Sequence, residues 1–230
     1  MRARAEPLSP ETHAGKPGRK SLRHDPARRT ALRFMAGGAA LSLTASLVLS
    51  HAGRARAADY PPTNGAMQGF ILYDRRREPA TEPFLDGTGD TRHFKDFRGR
   101  VLLVNFWATW CAPCIEEMPD LAALQDGMGG EDFTVLAISQ DRGGRDVAEP
   151  FVRDRLGLPR LPVFYDPNSA LGRAMGVKGL PTTFLIDRRG RAVGHFLGAA
   201  KWNAADAREM IRHVIDESES DGLDQPLDQA

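Results

Sequence analysis

Runs of apolar, β-prone residues alternate along the chain with segments whose apolar positions recur at helical spacing. The strand-like runs are 101–108 (VLLVNFWA), 133–139 (FTVLAIS), 161–166 (LPVFYD), 182–187 (TTFLID) and 192–198 (AVGHFLG). The continuous apolar run 133–139 is typical of a strand covered on both faces in a parallel sheet. Helices are predicted over 116–125, over 146–157 with Pro150 in the first turn, and over 169–176 ending at Gly176. A last helix spans 203–217, where Ala207, Met210, Ile211, Val214 and Ile215 share one face. Pro119 falls inside the first helix and is expected to kink it. Gly127, Gly129 and Gly130 mark where that helix stops, and 188–191 (RRGR) reads as a hairpin turn in which Gly190 can take positive φ. Strands alternating with helices, then a closing hairpin and a final helix, describe one α/β sandwich over 93–217.

The two ends follow neither pattern. Residues 1–27 are polar, rich in Arg, Pro and Gly, without a periodic apolar face, and read as disordered. Arg28 and Arg29 then precede an apolar run, 34–49, that leads to Ala55-Arg56-Ala57, a small-x-small cleavage pattern. The run is shorter, and more diluted by Gly, Ser and Thr, than the ~20 residues of a spanning helix. It reads as an export signal, with an uncleaved membrane anchor as the other reading. The paired arginines followed by Leu32 resemble a twin-arginine signal, with Ala31 where that pattern prefers an aromatic. Cleavage would start the mature chain near Ala58 in an oxidising compartment, the periplasm. Residues 58–92 form an N-terminal extension with one strand-like run, 69–73 (GFILY), and a turn at 87–90. Within it, Arg75, Arg76 and Arg77 read as a solvated loop. Residues 218–230 are acidic and read as a disordered tail.

Charge sharpens this division. The formal net charge of +1 hides 11 Lys and Arg against 3 Asp and Glu in residues 1–57, which leaves 20 against 27 for the rest. The basic charge belongs to the leader, and the domain lacks the footprint of a nucleic-acid-binding module. Two cysteines in total can form neither a disulfide framework nor a four-cysteine zinc site.

Those cysteines, Cys111 and Cys114, stand where strand 101–108 passes into the first helix. A Cys-x-x-Cys pair in that setting reads as a redox-active dithiol. The thiolate attacks disulfides, and the unpaired N–H groups and positive end of a helix favour it. Cys111 is therefore expected to be exposed and to attack, and Cys114, one turn further, to be buried and to resolve. Pro113 suits a first helical turn, where its missing N–H costs nothing. A static disulfide is the plainer alternative, but closing so small a loop stabilises by only about 2 kcal/mol. Glu117 lies three residues past Cys114 on the same face, whereas Glu116 points away. Glu117 is expected to move a proton for Cys114; the alternative is that both acids simply favour a helix N-terminus. In 176–187 (GVKGLPTTFLID), Pro181 opens a strand that needs buried pairing, which calls for a special turn and admits a cis peptide.

The runs 101–121 (VLLVNFWATWCAPCIEEMPDL) and 179–187 (GLPTTFLID), with Gly190 after them, resemble the thioredoxin superfamily, specifically its TlpA/ResA-like branch of exported thiol:disulfide oxidoreductases. The resemblance covers 94–215. It implies an α/β, thioredoxin-like three-layer sandwich with a central mixed sheet and an extra helix and strand over 140–167. It implies Cys111 as nucleophile, Cys114 as resolving cysteine, Pro181 as a cis-proline lining the substrate groove and Trp110 as an aromatic cover. With Pro113 and Leu180, these last two make up the expected substrate-binding residues. The branch carries a glutamate at the position of Glu117. Asn105 stands where thioredoxins proper have a buried aspartate, which fits Glu117 taking over the acid–base task.

A one-to-one exchange site needs no dimer, so a monomer is expected. The resemblance further implies no cofactor beyond the redox-active Cys111–Cys114 disulfide, protein disulfides as substrates, and a membrane electron donor of thiol-reductase type. The expected function is a periplasmic reductase of specific protein disulfides, in cytochrome c maturation or copper-site assembly. An oxidase or isomerase with the same chemistry is the alternative. Copper delivery through the thiols is another, for which His195 is the nearest third ligand in type but reads better as structural, with His93 and His213 weaker. A peroxidase of the AhpC/TSA-like redoxin kind would need one peroxidatic cysteine in its own motif, and the pair fits exchange better.

Overall fold

Eight strands form one mixed sheet in the computed structural model, which describes residues 60–222. In chain order they are β1 (Ile71–Arg77), β2 (Phe84–Leu85), β3 (Thr91–Arg92), β4 (Val101–Trp107), β5 (Phe133–Ser139), β6 (Val163–Tyr165), β7 (Thr182–Ile186) and β8 (Ala192–Leu197). Their order across the sheet is β1-β8-β7-β4-β5-β6-β2-β3. Strands β4, β5 and β6 are parallel and the other pairings antiparallel. Parallel neighbours need crossovers, supplied by α1 (Ala112–Met128) between β4 and β5 and by α2 (Arg145–Pro150) between β5 and β6. Helices α3 (Ala170–Ala174) and α4 (Ala205–Gly222) complete the layers.

β4 is buried at every position and carries the period-2 logic of the fold. Val101, Leu103 and Trp107 join a core with Met118 and Leu121 of α1 and Met210, Ile211 and Val214 of α4. Leu102, Val104 and Phe106 join a second core with Phe84, Phe164, Phe184 and Leu171 of α3. The three-layer α/β sandwich follows, with α2 and β6 as the additional helix and strand.

Several elements differ from the sequence reading. α1 starts at Ala112, four residues before the predicted span, because the dithiol segment itself forms the first turn; the helix runs past Pro119, which sits on its exposed face, to Met128. Pro150 closes α2 instead of opening a longer helix. It has no N–H to continue the ladder, and a π-helical turn, Phe151–Arg155, follows with Leu156 N–H bonded to Phe151 O at 3.0 Å. Arg75, Arg76 and Arg77 are not a loop but the end of β1. Arg76 turns inward to pair with Asp187 (2.9 Å) and with Glu217, and Arg77 lies 4.2 Å over the Tyr73 ring. Strands β2 and β3, two residues each, are too short to leave a pattern in the sequence. Helix α4 continues to Gly222, so 218–222 are helical and not part of a disordered tail; backbone bonding carries on after the amphipathic pattern stops. The export signal, its twin-arginine pattern and the cleavage site lie outside the described residues.

Candidate active site

At the end of β4 the chain turns through Ala108, Thr109 and Trp110 and enters α1, with Cys111 as its N-cap. Asp141, just past the end of the parallel neighbour β5, holds this turn. Its buried carboxylate accepts from Thr109 N–H (2.9 Å), Thr109 Oγ1 (2.7 Å) and Ser139 Oγ (2.9 Å). Sequence reasoning missed Asp141. The available signal was an acid directly after an apolar strand, at the sheet end that carries the dithiol.

Cys111 and Cys114 form a disulfide with Cα atoms 5.3 Å apart. Cys114 N–H donates to Cys111 Sγ at 3.3 Å, so the sulfur takes up one of the unpaired donors of the helix start. Cys114 is 0% exposed, as expected of the resolving residue, but Cys111 is only 6% exposed rather than open to solvent. The disulfide holds its Sγ against the first turn of α1, which leaves it the more accessible of two buried sulfurs. Trp110, 72% exposed, stands beside it.

One turn along α1, Glu117 is 2% exposed. Its Oε1 accepts from Asn105 Nδ2 (2.7 Å), and its Oε2 from Ala200 N–H (3.0 Å) and Trp202 Nε1 (2.9 Å). Burial raises its pKa from 4.5 to about 7, against the lowering effect of those three hydrogen bonds. Asn105 reaches Glu117 because it shares the β4 face of Leu103 and Trp107. It also donates to Thr183 Oγ1 (2.8 Å), its cross-strand partner on β7. Asn105 Oδ1 is buried without a hydrogen-bond partner. A turn of the amide presents that oxygen to Glu117, giving the protonated carboxyl an acceptor. Trp202 and Ala200 lie between β8 and α4, and no motif in the sequence marks them.

The Leu180–Pro181 peptide is cis, and Gly198 N–H bonds Pro181 O at 2.9 Å. Pro181 itself is buried. A cleft of about 900 Å³ is walled by Leu180 and Trp110 instead, Leu180 being half-buried where Pro181 is fully buried. Pro113 is exposed in the first turn of α1 and does not line the cleft. The structure thus groups Cys111, Cys114 and Glu117 along α1, sets Trp110 and Leu180 on one cleft, and leaves Pro113 outside it.

His195 is half-buried between the rings of Tyr73 and Phe184, with centroids at 5.6 and 5.7 Å. Burial and then the nearby Arg77 charge lower its pKa. His93 Nδ1 lies 3.0 Å from Thr81 O. Among the described residues, no three His, Cys, Asp or Glu side chains are grouped to hold a metal ion.

Comparison with known proteins agrees with this geometry. The Redoxin family model matches residues 77–211. The thiol-disulfide oxidoreductase ResA of Bacillus anthracis is 34% identical over 135 residues, 57% of this chain and 76% of that protein. The thiol:disulfide interchange protein HelX of Rhodobacter capsulatus is 36% identical over 126 residues, 54% of this chain and 64% of that protein. A secreted thiol-disulfide isomerase from Corynebacterium glutamicum has a similar structure, with a TM-score of 0.53 at 28% identity, covering 67% of this chain and 97% of the other. A dithiol at a helix start, a buried glutamate one turn on and a cis-proline loop, in a chain matched over more than half its length, make this protein a member of the Redoxin family, in the TlpA/ResA-like branch of the thioredoxin superfamily, and a thiol:disulfide oxidoreductase.

Proposed function

We propose that the protein is an extracytoplasmic, periplasmic reductase of specific protein disulfides in which Cys111 attacks, Cys114 resolves and Glu117 carries the proton. The observation that supports this most is the buried Glu117 carboxyl, with a pKa of about 7, one helical turn from the resolving cysteine. In the reduced protein, the Cys111 thiolate attacks one sulfur of the substrate disulfide. That S–S bond breaks, the leaving sulfur takes a proton, and a mixed disulfide to Cys111 forms. Glu117 then accepts the Cys114 proton, and the Cys114 thiolate attacks Cys111 Sγ. The mixed disulfide breaks, the second substrate sulfur leaves and is protonated, and the protein is left as the Cys111–Cys114 disulfide. Two electrons and two protons pass to the substrate. A base one helical turn from the resolving cysteine speeds the step that releases reduced product.

The leader pattern in the sequence supports export. On this reading the substrates are exported proteins with paired cysteines, of the apocytochrome c or copper-site assembly kind. A membrane thiol-reductase returns the electrons, and the protein works as a monomer. The test is a Cys114→Ser variant of the full chain, expressed in its host. Reductant-sensitive conjugates to exported proteins are expected on Cys111, and none in a Cys111→Ser control; absence of any conjugate overturns the proposal. A redox titration fixes direction: a midpoint near about −120 mV, typical of a strong dithiol oxidant, would reverse it.

A further inference from the structure

The cleft walled by Trp110 and Leu180 has a charge opposite to that of its domain. Beyond residue 57 the chain carries 20 Lys and Arg against 27 Asp and Glu, yet the cleft is lined by Arg142, Arg173 and Lys178 against Asp141 alone. Asp141 is already committed to Thr109 and Ser139, and the residue is 4% exposed. Arg142 and Lys178 are exposed, and among the described residues neither has a carboxylate partner. Among the described residues, Arg173 donates to the neutral carbonyl of Asn168, at 2.7 Å, and has no carboxylate partner. Three cations without internal counter-charges therefore surround an open space of about 900 Å³ that begins at the residues flanking the dithiol. Val177, Leu180 and Trp110 give its wall an apolar strip.

We propose that this cleft binds an extended acidic segment of the substrate protein. Asp or Glu side chains beside the substrate disulfide meet Arg142, Arg173 and Lys178, and an apolar neighbour packs on Trp110 and Leu180. The inference rests on the disulfide-reductase reading above. Complementary charge raises the rate of encounter and selects among partners more than it adds affinity. It thus gives an otherwise general dithiol a preference for cysteine pairs in acidic surroundings.

The test uses the reduced full-chain protein and three synthetic peptides of one length. Each is closed by the same internal disulfide, and they differ only in whether the flanking residues are Glu, Gln or Lys. Rates of peptide reduction are followed by rapid quenching and thiol alkylation. The Glu peptide is expected to react about tenfold faster than the Lys peptide at low ionic strength, with Gln between them. The spread should shrink above about 0.15 M salt, where screening acts within about 8 Å. In an Arg142→Glu/Lys178→Glu variant the order of the three peptides should invert. Wild-type rates that agree within twofold, or an order kept in the variant, overturn the inference. Reduction of neutral bis(2-hydroxyethyl) disulfide by the wild type separates the two readings. If it proceeds while the peptide rates coincide, only the acidic-segment inference falls; if it does not proceed, the reductase reading falls and takes this inference with it.

Discussion

Asp187 and Glu117 are the most deeply buried carboxylates among the described residues, and the structure treats them in opposite ways. Asp187, 1% exposed at the β7 end of the hairpin, sits between two guanidinium groups: Arg76 Nη1 at 2.9 Å and Arg191 Nη2 at 2.8 Å. It also accepts from the N–H groups of Arg189 and Arg191 at 3.0 and 2.8 Å. Glu117 receives only neutral donors, and among the described residues no Lys or Arg pairs with it. Cations around the first offset the cost of its burial and tie elements together; around the second, burial outweighs the neutral donors and raises the pKa to about 7. The first ties β1 to the β7–β8 hairpin, and Arg76 carries the link on to Glu217 of α4. The second is poised to hold a proton near neutral pH.

The largest effect expected from this contrast is on stability against pH. With its pKa raised from 4.5 to about 7 on folding, Glu117 keeps its proton in the folded state over a range where the unfolded chain has lost it. Its contribution is fully present below about pH 4.5 and is lost as pH rises through about 7, a change of about 3 kcal/mol. Urea unfolding of the oxidised protein at pH 5 and pH 8 should show that loss, and Glu117→Gln should remove most of it. The Gln amide can donate to Asn105 Oδ1, which lacks a partner. Equal pH dependence in the two proteins would place the titration elsewhere.

Next in size is the rate of resolution. Glu117→Gln should slow Cys114 attack on the mixed disulfide about 100-fold at pH 8, the usual scale for a general base, and abolish the inflection near pH 7. An unchanged profile would reduce Glu117 to a structural carboxylate like Asp187. Breaking the other site gives the mirror image. Arg76→Ala should cost about 2 kcal/mol in thermal or urea unfolding, because Asp187 stays buried with only Arg191 as a cation, yet leave the exchange rate and its pH profile where they were. Smallest is Trp202→Phe. It removes one donor to Glu117 Oε2 and should move the inflection upward by about one pH unit, about 1.4 kcal/mol.

What the sequence could convey follows from the range of each interaction. Strand β4, helix α1 and the dithiol at their junction are local features, and apolar runs with a short motif are enough to place them. Glu117 was reachable from helical spacing, and Asn105 from strand period, since both are consequences of local geometry. Asp141, Trp202 and Thr183 were out of reach because they come from other strands and loops, 32, 85 and 78 residues away from their partners Thr109, Glu117 and Asn105. Arg76 was misread for the same reason. Its partners Asp187 and Glu217 lie 111 and 141 residues away, and a run of three arginines gives no sign that the middle one turns inward.

That run has a further consequence at the margin of the sheet. An open sheet offers a row of unpaired backbone donors and acceptors along each outer strand, and those rows invite another chain to add on. Here one border is β3, only two residues long. The other is β1, whose pairing with β8 shifts register between Leu72 and Arg77 and whose outer end displays Arg75 and Arg77. Brevity on one side, and a bulge with like charges on the other, make both borders poor templates for a ninth strand. The sheet is thereby guarded against being knitted to another chain along its sides, while the dithiol sits at its end.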